Sequence, residues 1–212
     1  MTTSIPRAAV HLHSTLPAPP PSAPRPDWPV PDAAACHALL DAFAVPDHIR
    51  THSVMVANVA TLLAERAAAL GLEVCVATVR AAGLLHDAAK LYTIEHGGNH
   101  AQLGAAWALE ATGNPLVAHG VLHHMYWPFP MDARRHFLPL AVLYGDKRVA
   151  HDRYVPVAER FSDITERYGV SGPVRERIAA TRDQAIELER ILETLLEIDL
   201  NACAFDSGRL VQ

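Results

Sequence analysis

The sequence has little of what marks several large protein classes. It holds three cysteines, Cys36, Cys75 and Cys203, widely spaced and without a CxxC pair. That excludes a disulfide framework and points to a reducing cytoplasm. No apolar run reaches the ~18 residues that a membrane span needs, and the first residues, MTTSIPRAAVHLHS, lack the continuous apolar segment of a signal peptide. Lys and Arg number 18 against 23 Asp and Glu, a net charge of −5. There is no basic excess with which to grip a nucleic-acid backbone. Glycine is modest and β-branched runs are short. The expectation is a soluble, cytoplasmic protein with neither a nucleic-acid polymer nor a membrane as partner.

What the chain does have is alanine, leucine and histidine. Half of its 212 residues are hydrophobic, enough for one sizeable core, and the Ala/Leu bias favours helix. Nine of the 16 prolines fall within residues 1–31. That segment cannot bury a core and reads as a Pro-rich flexible tail. A helical domain over 32–202 and a short C-terminal tail over 203–212 complete the expected organisation.

Within the domain, apolar residues recur at helical spacing. DAAACHALLDAF reads as a first helix stopped near Pro46. PDHIRTHSVMVANVATLLAERAAAL is a long second one, with Val56, Val59, Ala60 and Leu63 as its stripe and Gly71 at its end. VCVATVRAAGLLHDAAK reads as a third, ending around Lys90, with TIEHGGN as a polar loop. Asn99 is placed to cap HAQLGAAWALEAT. LVAHGVLHH, HFLPLAVLYGDKRVAH and VAERFSDITERYG follow. In the last helix Ile178, Ala185, Leu188, Leu192 and Leu195 form a seam that either docks on the body or pairs with a second copy as a homodimer.

Thirteen histidines are a rich supply, and several stand where an apolar residue would be the default. His52 lies in the stripe of the second helix. His86 and Asp87 follow Gly83-Leu84-Leu85, His100 opens the next helix, and His124, beside His123, shares a face with Val117 and Val121. Asp146 interrupts LAVLYGDKRV. Buried histidines and carboxylates need partners, because desolvating them is costly. Imidazole with carboxylate, and no thiolate, suits Fe, Mn, Co, Ni or Zn. Seven such groups are too many for one tetrahedral ion and about right for two octahedral ions sharing a carboxylate.

The ordered set H…HD…H…H…D, formed in this chain by His52, His86-Asp87, His100, His124 (with His123) and Asp146, resembles the HD-domain superfamily of metal-dependent phosphohydrolases. The resemblance covers roughly residues 33 to 170. HDAAK followed by HAQLGA is most similar to the bacterial HD hydrolases that split diadenosine tetraphosphate symmetrically, whereas MYWPFPMDARRHF departs from the short polar segment found there. The resemblance implies an all-α, single-domain helical bundle with a buried site for two divalent or trivalent transition metals, iron foremost. His52, His86, Asp87 and Asp146 would hold one. Asp87, His100, His124 and His123 would hold the other, with Asp87 bridging and a hydroxide between the ions. The substrate implied is a small phosphorylated molecule of nucleotide type.

Lys90 stands one turn after Asp87, where i, i+3 spacing puts both on one side, and is the candidate to meet a phosphoryl oxygen. Lys147 and Arg148 are candidates to face a polyphosphate, as is Arg50. Tyr126, Trp127 and Phe129 are candidates to stack a base or cover the site, and His96 to reach it from the GG loop. The remaining histidines, His11, His13, His37, His48, His119, His136 and His151, read as structural or exposed. Two other readings stay open: a di-iron oxygenase built on the same ligands, and a metal- or nucleotide-binding regulator without turnover.

Overall fold

The structure is a computed structural model that describes Pro17 and residues 24–208. Most of the Pro-rich segment, with His11 and His13, lies outside the described residues. Helix α1 (Ala33–Ala42) is opened by Asp32, whose carboxylate accepts from the Ala35 N–H at 2.8 Å. Helix α2 (Asp47–Ala69) starts after Pro46, and Gly71 behind it takes φ 82°. Helices α3 (Val76–Leu85) and α4 (Lys90–His96) follow. Asn99 accepts from the Ala101 and Gln102 N–H groups to open α5 (His100–Thr112), and Asn114 likewise opens α6 (Pro115–His123). Helix α7 (Phe137–Lys147) leads into a small antiparallel hairpin, β1 (Val149–Ala150) and β2 (Arg153–Tyr154). Helices α8 (Val157–Tyr168) and α9 (Gly172–Leu196) close the domain.

The all-α expectation holds. Helix α2 lies in the middle, against α3 on one side and α7 on the other, while α6 packs on α3, α5 and α7. Ala185, Leu188, Leu192 and Leu196 of α9 are fully buried, so the seam docks on the body of its own chain. It runs through Leu196 rather than Leu195, the better match to a 3.6-residue period. No helix among the described residues is long and apolar enough to cross a membrane.

One expectation needs correction. The helix expected to run to Lys90 ends at Leu85; residues 86–89 form a turn, and TIEHGGN is largely helical because α4 restarts at Lys90. Residues on either side of 32–202 also make contacts with the helical body. The Pro29 carbonyl accepts from Asn114 Nδ2 at 3.1 Å. At the other end Phe205 is buried, with the Arg148 guanidinium 5.1 Å from its ring.

Close helix approach is set by two glycines next to the polar groups of the core. A Cβ on Gly83 would lie 2.7 Å from the Ala57 Cα of α2, and one on Gly145 would lie 2.9 Å from the Val56 carbonyl oxygen. Gly83→Ala therefore sets a gain of ~1 kcal/mol in helix propensity against a backbone clash costing about 1–3 kcal/mol. Net destabilisation is expected in urea melts; a variant as stable as the parent would refute this close-packing account.

Candidate metal centre

The elements converge on Asp87. Its carboxylate is 1 % exposed and sits in the turn after α3. Around it stand His52 from α2, His86 from the end of α3, His100 from the start of α5, His124 just past α6 and Asp146 from the last turn of α7. The two Asp87 oxygens divide the histidines. Oδ2 faces His86 Nε2 at 3.4 Å and His52 Nε2 at 3.9 Å, while Oδ1 faces His100 Nε2 at 3.3 Å and His124 Nε2 at 3.6 Å. Asp146 Oδ1 joins the first group, 3.0 Å from His52 Nε2 and 3.9 Å from His86 Nε2.

The ring orientations have a local cause. His86 Nδ1 donates to the Gly83 carbonyl and His124 Nδ1 to the Val121 carbonyl, both at 2.7 Å. With Nδ1–H so engaged, each ring turns its Nε2 to the centre, the arrangement that outer hydrogen bonds impose on metal-binding imidazoles. Two atoms of the centre lack partners: His86 Nε2 and Asp87 Oδ1 are buried without a hydrogen bond, while His100 Nε2 and His124 Nε2 share one at 3.1 Å. Unpartnered polar atoms in a buried site are costly unless a cation sits among them. Two sets have ligand atoms close enough to share an ion: His52, His86 and Asp87; and Asp87, His100 and His124. The nitrogen and oxygen donor set fits a transition metal.

Charge keeps the carboxylates ionised. Burial pushes Asp87 up, but the neighbouring His86 and His100 rings and the Lys90 ammonium outweigh it and hold the group well below the usual carboxylate range. Burial opposes Asp146 in the same way, and Lys147, His52 and Arg160 overcome it. Lys90 Nζ donates to Asp87 Oδ2 at 2.7 Å. Lys147, itself 5 % exposed, donates to Asp146 Oδ2 at 2.6 Å and to the His124 carbonyl at 3.3 Å.

The cluster forms the floor of a cleft of about 1220 Å³ whose lining includes Lys90, Lys147, Met125 and Tyr126. Other residues singled out in the sequence lie elsewhere. The His123 ring packs on Trp127 at 5.0 Å and His119 at 4.8 Å, away from the cluster that His124 joins. Trp127 is fully buried, its Nε1–H donating to the Pro130 carbonyl and its backbone exchanging hydrogen bonds with Gln184. It is a core anchor with no face to offer a base, and Phe129 packs on it at 5.1 Å. Arg148 is buried too. It donates to the carbonyls of Val155 and Leu200 and to Tyr144, with Glu189 beside it, so it latches α7 to the hairpin and to the chain after α9. Arg50 donates to Asp41 and to the carbonyls of Leu40 and Val45, binding α1 to α2. His96 is exposed, its ring 4.5 Å from that of Tyr92 and tilted to it by 53°.

The far wall of the cleft comes from α8 and α9, with Arg160, Ile164, Arg167 and Ile178 among its residues. Sequence reasoning missed this wall. Its signal was present: Arg160, Ile164 and Arg167 fall at i, i+4 and i+7, one face of α8. A charged face on a short helix reads as solvated, which hid it.

The histidines also set an acid response. Burial lowers His52, His119, His123, His124 and His136, taking His124 to about 3 and His123 to about 4. His86 moves up instead, where Asp87 outweighs its burial. The unfolded chain takes up protons near pH 6.5 that five native rings refuse, so unfolding becomes easier as pH falls below that value. His86 opposes the trend with a single site. The chelator-treated protein should lose thermal midpoint between pH 7 and pH 5; a flat or rising midpoint would contradict the assignment of neutral buried rings.

The HD domain family matches residues 49–164 of the 212-residue chain, more than half its length. No curated protein and no solved structure matches. The matched span begins in α2 before His52 and ends in α8 after Asp146, so it takes in every group of the cluster. The chain belongs to the HD domain family.

Proposed function

We propose that the protein is a metal-dependent phosphohydrolase that cleaves a phosphate ester or anhydride of a nucleotide-type substrate. The observation that carries this reading is the division of Asp87, one oxygen toward His52 and His86 and the other toward His100 and His124. A carboxylate so placed serves two ions at once. His52, His86, Asp87 and Asp146 would hold one and Asp87, His100 and His124 the other, with iron, manganese, cobalt or nickel as the ions that this donor set suits. Bound there, such ions supply hydroxide from water near neutral pH and neutralise charge on phosphoryl oxygens.

The chain's own side chains supply position and charge, which is most of what phosphoryl transfer requires. Lys90 reaches over Asp87 from the first turn of α4, at the edge of the cleft. Its ammonium meets a non-bridging oxygen of the substrate and stabilises the charge that grows there. Lys147 fixes the Asp146 carboxylate from behind and is tied to the His124 carbonyl, so it couples the two halves of the cluster. Tyr126, Ile164 and Ile178 give the cleft apolar wall for a base. At about 1220 Å³ the space exceeds the ~300–1,000 Å³ usual for a small ligand, and HDAAK with HAQLGA resembles the symmetrical diadenosine tetraphosphate hydrolases. Both favour a dinucleoside polyphosphate.

The test is product formation from a panel of mononucleotides, dinucleoside polyphosphates and cyclic nucleotides, with Fe, Mn, Co or Ni supplied in turn. Metal addition should raise the thermal midpoint, since an ion that binds only the folded chain stabilises it. The double variant His86→Ala with Asp87→Ala should lose both bound metal and turnover. A protein that binds two metals, cleaves no phosphate compound and consumes oxygen would sink the hydrolase reading in favour of an oxygenase.

A separate outcome is expected for Lys90→Ala, which should keep its metal and lose roughly 10²–10³-fold in kcat, the scale for removing one charge-stabilising donor. Unaltered turnover would remove Lys90 from the reaction.

A further inference from the structure

The α8 wall of the cleft carries a cation that the fold leaves incompletely engaged. The Arg160 side chain is 15 % exposed and lines the cleft. Its Nη2 stands 4.0 Å from Asp146 Oδ1 and its Nη1 3.4 Å from Asp163 Oδ2. Its Nε is buried with no hydrogen-bond partner. A guanidinium forms its strongest contacts through planar, paired N–H groups, and neither carboxylate beside Arg160 engages it in that way. Arg160 also lies close enough to Lys90 for its charge to weigh against that ammonium. Two cations therefore share one end of the cleft.

Two turns further along α8, Arg167 donates to Asp163 Oδ1 at 3.0 Å. Asp163 thus holds two arginines side by side, one by each carboxylate oxygen. Both arginines line the cleft, and Arg167 Nη2 also lies 2.8 Å from His151 Nε2. Ions bound at Asp87 and Asp146 would add positive charge and draw on the carboxylates that now neutralise Lys90 and face Arg160, leaving these cations to an incoming anion.

We propose that Arg160 and Arg167, paired by Asp163, form a second anion subsite next to the Lys90 end of the cleft, so that the protein takes substrates with two or more linked phosphoryl groups in preference to monophosphates. This rests on the phosphohydrolase reading and deepens it. One phosphoryl group lies over the Asp87 cluster with Lys90, and the next is gripped by Arg160, with Arg167 behind it. Asp163 is a positioning residue that sets the distance between the two guanidinium groups.

The experiment is calorimetric binding to the full-length, manganese-loaded protein, with the same free manganese in cell and syringe. The probes are adenosine monophosphate and α,β-methylene adenosine diphosphate; the second carries one further phosphorus group, joined through a methylene bridge that resists cleavage. The diphosphate should bind at least about tenfold more tightly to the parent, the scale of a charge-assisted contact. Arg160→Gln and Arg167→Gln should each narrow that advantage to less than about threefold. Metal content and helical circular dichroism are recorded for each variant. Arg167→Gln carries the test if Arg160→Gln, next to Asp146, loses metal.

The subsite is overturned if the parent shows no preference for the diphosphate, or if the tenfold advantage persists in variants that keep helix and metal. Failure of the underlying reading looks different. A protein that cleaves no phosphate compound yet shows the arginine-dependent preference keeps the subsite and loses only the hydrolase assignment.

Discussion

Asp87 is a carboxylate with 1 % of its surface exposed, in a domain whose interior is mostly apolar. Desolvating such a charge costs several kcal/mol even after relaxation, so the surroundings must compensate it. They do so on both oxygens, with two imidazoles for each and an ammonium on one. The compensation cannot come from one helix, because residues on one helix face lie along its axis rather than around a point. It requires side chains from α2, the turn after α3, α4, α5, the end of α6 and α7. The bundle's connectivity is organised by that requirement.

Helix ends do much of the placing. His100 is the first residue of α5, set by the Asn99 cap, and His124 is the first residue after α6. Asp87 occupies the turn between α3 and α4. Ending α3 at Leu85 frees Asp87 from the direction of a continuous helix, and restarting at Lys90 brings the lysine back over it. The close approach at Gly83 and Gly145 lets α2, α3 and α7 come near enough for His52, His86 and Asp146 to meet. Packing and chemistry therefore depend on the same few residues.

This explains what the sequence could and could not disclose. The helices were legible from period and caps, with Asn99 behaving as its position suggests. His52, His86, His100, His124 and Asp146 stood out because each replaces an apolar residue on a core face. Adjacent positions were harder to separate. His123 and His124 differ by one residue, about 100° around a helix, and that rotation sends one ring to the cluster and the other to Trp127. Arg148 and Lys147 pose the same problem on α7, where Lys147 faces the cleft and Arg148 the hairpin. Trp127 looked like a lid because aromatic residues between prolines suggest a loop on the surface; its burial depends on Gln184, 57 residues away. Long-range pairing of that kind leaves no local mark.

The cations complete the argument. Lys90 and Lys147 sit on the two acids, and Arg160 stands near one of them. In a low-dielectric cleft each holds its carboxylate ionised, and each is held in turn, with the Lys90 ammonium favoured by Asp87 and Asp146 against its own burial. Carboxylates kept charged are ready ligands, since metal binding need not first remove their protons. Ammonium and guanidinium groups already standing at the site need little reorganisation to meet an anion, which is the condition under which fixed charges stabilise a reaction most. The acids that draw cations into the core and the cations that would meet phosphate thus form one balanced set.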